Sequence, residues 1–147
     1  MSMYKMADDK WMDSRISLPD LSMPRCLHSS CGIGNTVYIF CGYDTKYSEE
    51  LSSIEYLDLC GVLLGRAARW QYLFLFQRSI KPRSRPSVCA INQDEILIMG
   101  GWDASGNAIG DGMVLRPSRK RVEPCFKKIF GFKFATYGNQ CYQTDKH

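Results

Sequence analysis

One pattern occurs twice along this chain of 147 residues, at a nearly constant offset. Trp11 and Trp70 lie 59 residues apart, and so do the paired small residues Cys41-Gly42 and Gly100-Gly101. The interval from each Trp to the second residue of its pair is 31 in both copies. An internal repeat constrains a fold strongly. Each unit is one supersecondary piece that cannot bury its apolar face alone, so neighbouring units must stack.

Other features fall between the anchors in the same order. Pro24-Arg25 follows Trp11; Pro82-Arg83 and then Arg85-Pro86 follow Trp70. A small and apolar run comes next, His28-Ser29-Ser30-Cys31 against Ser87-Val88-Cys89-Ala90. Gly34-Asn35-Thr36 and Gln93-Asp94-Glu95 then read as tight turns, since Asn and Asp bond locally and tolerate left-handed backbone. Val37 to Phe40 and Ile96 to Met99 are short continuous apolar runs, the mark of a strand buried on both faces. Glycine at the end of such a strand points to close backbone approach or a conformation denied to other residues. Polar loops follow, starting Tyr43-Asp44 and Trp102-Asp103. A third strand is expected at Ile54 to Asp58 and at Gly112 to Leu115. A fourth is expected at Trp70 to Phe76, and in the second unit at Cys125-Phe126. Asn139-Gln140-Cys141-Tyr142 repeats the form of Asn35-Thr36-Val37-Tyr38 and marks a third start.

This order of features resembles the kelch repeat. In that family a four-stranded blade carries an Arg before its inner strands, a double glycine after the second strand, and a Tyr and a Trp later. The matching residues are Arg25, Gly42, Tyr56 and Trp70 in one unit, and Arg83 or Arg85 with Gly100-Gly101 in the next. The resemblance covers most of residues 11–115 and implies an all-β fold: a partial β-propeller of four-stranded antiparallel blades. The chain departs from the pattern in four ways. The first unit has Cys41-Gly42 in place of two glycines, and an insertion, Leu59 to Arg69, separates Tyr56 from Trp70. The second unit lacks the Tyr and the Trp, and the period exceeds the roughly 50 residues usual for kelch. The division read from the repeat is a terminal strand of a preceding blade at 1–23, a blade at 24–81, a divergent blade at 82–128, and the start of a third at 129–147. Propellers close with about 4–8 blades. The resemblance therefore implies a piece of a longer ring, an associating piece whose open sheet edges pair with other copies, or a relic.

Composition narrows the function classes. A hydrophobic fraction of 45% with 23% charged residues is that of a globular chain. Tyr72 to Phe76 is among the longest apolar runs, far short of the roughly 20 residues a spanning helix needs. Met1 to Lys10 carries Asp8 and Asp9 and lacks a signal-peptide core, so a cytoplasmic protein is expected. Seven cysteines without framework spacing read as reduced core residues. Residues 1–73 carry 7 Lys and Arg against 9 Asp and Glu, whereas residues 74–147 carry 12 against 6. The basic half suits an acidic partner, or a nucleic acid.

The candidate residues follow from these placements. Arg25, Arg83 and Arg85 precede inner strands, and the resemblance carries such segments to the mouth of the ring, where they can meet a partner. The alternative reading of the same arginines is that they are solvent-exposed or bridge blades. Tyr43 and Trp102 begin loops and are hot-spot residue types, so these five are the expected partner-binding set. Trp11, Gly42, Tyr56, Trp70, Gly100 and Gly101 are expected to be structural. Cys26-x-His28-x-x-Cys31 has ligand types but no second ligand pair, so no metal or other cofactor is expected. His28 and His147 are the only histidines, which disfavours a Cys–His nucleophile. The expected function is a non-catalytic module that binds a protein or peptide of unknown identity. The alternatives are a propeller-borne enzyme, such as a metal-dependent oxidoreductase, and nucleic-acid binding through Phe126, Phe130, Phe132 and Phe134 in the basic half.

Overall fold

The computed structural model describes residues 19–64, 66, 68–76 and 80–125, together with the backbone of short strands at 4–5, 10–11, 133–137 and 140–144. Tyr4–Lys5 (β1) and Lys10–Trp11 (β2) pair with each other. Ser29–Ile33 (β3), Thr36–Phe40 (β4), Ile54–Asp58 (β7) and Gln71–Tyr72 (β8) form one antiparallel sheet in the order β3-β4-β7-β8. The loop between β4 and β7 holds a small hairpin, Tyr43–Asp44 (β5) with Glu49–Glu50 (β6). Ser87–Asn92 (β9), Glu95–Met99 (β10), Gly112–Arg116 (β11) and Arg121–Pro124 (β12) form a second four-stranded antiparallel sheet, again in chain order from one edge to the other. Lys133–Tyr137 (β13) and Gln140–Thr144 (β14) form a hairpin. Its register, from Tyr137 opposite Gln140 to Lys133 opposite Thr144, has the form of β3 with β4, from Ile33 opposite Thr36 to Ser29 opposite Phe40.

Local chemistry accounts for these elements. β4 and β10 are rich in β-branched and large apolar residues, which fit a pleated, buried surface. The β3–β4 turn is led by Gly34 at φ +55°, as a two-residue hairpin loop with leading glycine demands. At the β9–β10 turn the Asn92 side chain accepts from the Asp94 amide at 2.9 Å. The Asp94 carboxylate accepts from the Ser118 amide at 2.9 Å, so it ties this turn to a 3-10 turn at Pro117–Arg119. The Ser118 hydroxyl also donates to this carboxylate, at 2.5 Å, and the two contacts hold the Asp94 carboxyl below its usual range.

Two strand expectations need correction. The fourth strand of the second sheet is Arg121–Pro124, not Cys125-Phe126, and Phe126 lies outside the described residues. The 3-10 turn, closed by Lys120 at φ +48°, reverses the chain within four residues and brings β12 back at once beside β11. In the first sheet only Gln71–Tyr72 of the Trp70 to Phe76 run pairs as a strand. The insertion after β7 holds a short helix, Leu59–Leu63 (α1), capped by the Asp58 side chain, which accepts from the Cys60 amide at 2.9 Å.

The two sheets stack face to face. Phe40 and Ile54 of the first share a core cluster with Ile96, Ile98, Leu115 and Val122 of the second, and Ile80 and Cys41 complete it. Alternate residues of β4 point the other way. Ile39 packs there with Leu57, Val62 of α1, and Trp70. Trp70 is 7% exposed, and its indole N–H donates to the Pro19 carbonyl at 3.0 Å. The Trp11 side chain lies outside the described residues. In β10 the faces differ: Ile96 and Ile98 are fully buried toward the first sheet, while Leu97 and Met99 on the opposite face are half-buried. The sheets thus stack in one sense, each presenting its β4- or β10-type strand in the same orientation.

Because one cluster joins both sheets, they are expected to unfold together. Ile98→Ala should lower stability by about 2–5 kcal/mol. Denaturant unfolding followed by circular dichroism should show one transition shifted as a whole, not loss of the second sheet alone.

Candidate functional site

The connections at one end of the two sheets are built alike, residue for residue. Cys26 and Tyr43 exchange backbone hydrogen bonds, the Cys26 amide donating at 3.0 Å and the Tyr43 amide at 2.8 Å. Ser84 and Trp102 exchange the corresponding pair at 3.0 and 2.9 Å. The carbonyl of Gly42 accepts from the Leu51 amide, and that of Gly101 accepts from the Ile109 amide, each at 2.8 Å. Leu51 and Ile109 are both buried and anchor the far ends of the loops.

Glycine is required at the crossing. Gly42 and Gly101 have φ of +105° and +100°. A Cβ on Gly42 would lie 2.7 Å from the Cys26 carbonyl oxygen, and one on Gly101 2.7 Å from that of Ser84. The preceding residues, Cys41 at φ +56° and Gly100 at φ +60°, share the left-handed conformation, so the first unit puts a side chain where the second has none. The Cys41 thiol is buried in the core, and that burial pushes its pKa up to about 12.

Each loop then turns on an aspartate. The Asp44 carboxylate accepts from the amides of Lys46 (2.7 Å) and Tyr47 (3.3 Å), and the Asp103 carboxylate accepts from those of Ser105 (3.0 Å) and Asn107 (2.9 Å). Tyr43 opposite Glu50 and Trp102 opposite Ala108 close the two hairpins. Tyr43 and Trp102 are half-buried at the loop bases. At the tip of the first loop Tyr47 is exposed, with the Lys46 ammonium 4.9 Å from its ring centroid. Lys81 reaches Asp103 at 3.2 Å.

The arginines divide. Arg25 and Arg83 were expected to face a partner, but both side chains are fully buried, which removes them from any contact surface. Arg25 donates to the Cys41 carbonyl at 3.1 Å and pairs with Glu55. Arg83 donates to the Gly100 carbonyl at 2.9 Å and to the Lys81 carbonyl at 3.0 Å, and grips both oxygens of Asp111 at 2.5 and 2.8 Å. A buried guanidinium needs carbonyls and a carboxylate to replace its hydration. Arg83 has partners at all three nitrogens. Arg25 has them at both terminal nitrogens, and its Nε is buried without one among the described residues. Arg83 also bridges the sheets: its amide donates to the Leu51 carbonyl (3.2 Å), and its carbonyl accepts from the Gly42 amide (3.0 Å). Arg85 is half-buried. It sits at φ +52°, where Leu27 in the first unit sits at +54°, and its amide donates to the Leu27 carbonyl at 2.7 Å.

Glu55 and Asp111 were not singled out by the sequence. They are 56 residues apart, not the repeat interval, because one lies on β7 and the other just before β11. The Asp44 and Asp103 pair keeps the interval of 59 and was legible in principle. The Tyr56 hydroxyl donates to Gln71 at 3.1 Å and so links β7 to β8. Among the described residues, no group of three or more His, Cys, Asp or Glu is placed to hold a metal ion, and Cys26, His28 and Cys31 do not converge into one. The side chains of Phe126, Phe130, Phe132, Phe134 and His147 lie outside the described residues. Nor is any described helix long and apolar enough to cross a membrane.

Residues 24–61 match the kelch motif. That span runs from just before Arg25 through the first three strands of the first sheet. No curated protein matches the chain. Together the motif and the two stacked four-stranded sheets define a partial β-propeller built of kelch-like blades. Kelch motifs in general mediate protein–protein interaction.

Two expected outcomes follow from the buried groups. Glu55→Ala leaves Arg25 charged and unpaired in the interior and should cost about 3–5 kcal/mol. Asp111→Ala should cost clearly less in the same denaturant titration, because the Asp111 side chain is 40% exposed and water can take its place. Thiol alkylation at mildly alkaline pH, read by peptide mass spectrometry, should modify exposed Cys89 and Cys125 readily. Cys41 should react only once the protein is denatured, since burial keeps its thiol protonated.

Proposed function

We propose that the chain is a non-catalytic interaction module that recruits a protein or peptide through its blade loops, with Tyr43, Arg85 and Trp102 as the central contacts. One observation carries this reading: an aromatic residue begins the loop at the same position in both blades, on the same backbone bridge. Buried arginine clusters beneath each loop hold these positions, so the contact residues ride on rigid supports and lose little entropy on binding. Aromatic residues and Arg, half-buried and clustered, are the types that dominate interface energies. The kelch motif points to the same class of function. On this reading the blades are residues 24–81 and 82–128, and 129–147 opens a third. The expected location is cytoplasmic.

The test uses the chain as bait in a pull-down, followed by affinity measurement on the captured protein. Trp102→Ala should weaken that affinity by about 30-fold, and Tyr43→Ala should weaken it as well, with melting temperature little changed. Unaltered capture by both variants would remove the loops from the function.

A further inference from the structure

A second surface lies along the outer edge of the first blade. From Tyr72 of β8 onward exposed and half-buried side chains alternate through Phe76. Leu73 and Leu75 pack against the core cluster shared by the two sheets. Tyr72, Phe74 and Phe76 point outward at 37%, 75% and 76% exposure. Tyr72 and Phe74 stand with ring centroids 6.2 Å apart, and exposed Phe76 follows two residues on, so the three make an outward-facing row. Alternate residues of an extended chain are about 6.5–7 Å apart, which makes the strip roughly 13 Å long.

The strip is held in place from both sides. The Leu73 amide donates to the Ile54 carbonyl at 2.9 Å, and the Phe76 amide donates to the Lys120 carbonyl at 3.0 Å. The second bond joins it to the turn between β11 and β12, where Arg116, Arg119, Lys120 and Arg121 fall within six residues. Arg116 is taken up by Glu95 and Glu123, and Arg121 by Glu123. Arg119 and Lys120 are exposed, and the Lys120 ammonium lies 5.8 Å from the Phe76 ring centroid. Apolar rings in a row thus end at a cationic corner.

We propose that this strip, Tyr72, Phe74 and Phe76 with Arg119 and Lys120, docks an extended acidic peptide. Apolar side chains two residues apart lie on the rings, and carboxylates meet the cationic corner. Charge selects the occupant: a strip bordered by Lys and Arg favours carboxylate-bearing chains and repels basic ones. Geometry selects its conformation, because the spacing of the rings is that of alternate side chains in a strand. The residues are separate from those proposed for the blade loops, so either surface can fail without the other.

The experiment is fluorescence anisotropy with a dye-labelled peptide of alternating Leu and Glu, against a control of alternating Leu and Lys. The acidic peptide should bind saturably. Phe74→Ser and Phe76→Ser should each weaken binding by about tenfold, and Lys120→Glu should weaken it further in low salt than in high. Trp102→Ala and Tyr43→Ala should leave it unchanged. Phe74 and Phe76 are so exposed that their substitution should not disturb the circular dichroism spectrum. Absence of saturable binding, equal binding of the basic peptide, or full affinity in the Phe74→Ser and Lys120→Glu variants would overturn the proposal. So would recruitment to phosphatidylserine vesicles without binding of the acidic peptide, which would make the strip a membrane contact.

Discussion

Arg83 belongs to both blades at once. Its peptide group is hydrogen-bonded to Leu51 and Gly42 of the first, and its guanidinium is held by Gly100 and Asp111 of the second. Much of the molecule follows from that attachment. The first blade must offer a free carbonyl and a free amide at the crossing. Gly42 supplies the amide, at a conformation that leaves no room for a Cβ. The second blade must bring a carboxylate and a carbonyl to one buried point. Asp111 and Gly100 do so because the Gly100 amide is itself bonded to the Asp111 carbonyl, at 3.1 Å.

Arg25 repeats the arrangement one unit earlier with a different counter-ion. Glu55 is on β7, and its second oxygen also accepts from the Ser22 amide at 3.1 Å, so this pair fastens the chain entering the first blade. The backbone acceptor is kept between the units, while the carboxylate has moved by one turn of the pleat. A buried guanidinium needs neutralisation, but several nearby positions can provide it. That freedom explains how two units of low sequence likeness keep one geometry.

The same economy governs the surface. Arginines held inside leave the proposed contacts to the loop bases at Tyr43 and Trp102 and, separately, to the proposed outer strip at Phe74 and Phe76. The loops are stiffened by Asp44 and Asp103, which bind two backbone amides each, and the strip by its bonds to Ile54 and Lys120. In both proposed surfaces the side chains are mounted on hydrogen-bonded backbone, an arrangement that lowers the entropy lost on association.

The repeat was legible because strands, turns and glycines are local requirements. Alternation and apolar runs locate β4, β7, β10 and β11, and the crossing glycines Gly42 and Gly101 mark points where a Cβ would collide with another segment. The interval of 59 residues between them marked a repeat, and the resemblance to the kelch repeat implied that each unit is a four-stranded blade. Other features depend on partners distant in sequence. Whether an arginine is solvated or buried is decided by which carboxylate the fold brings to it, and Glu55 and Asp111 do not share the repeat interval. The position of β12 was decided by a left-handed Lys120, a conformation that a lysine does not announce. The sequence by itself determined the repeat and the strands β4, β7, β10 and β11, through side-chain period and turn chemistry. Tertiary structure alone decided that Arg25 and Arg83 hold the blades together, because burial and ion pairing are properties of the assembled sheets.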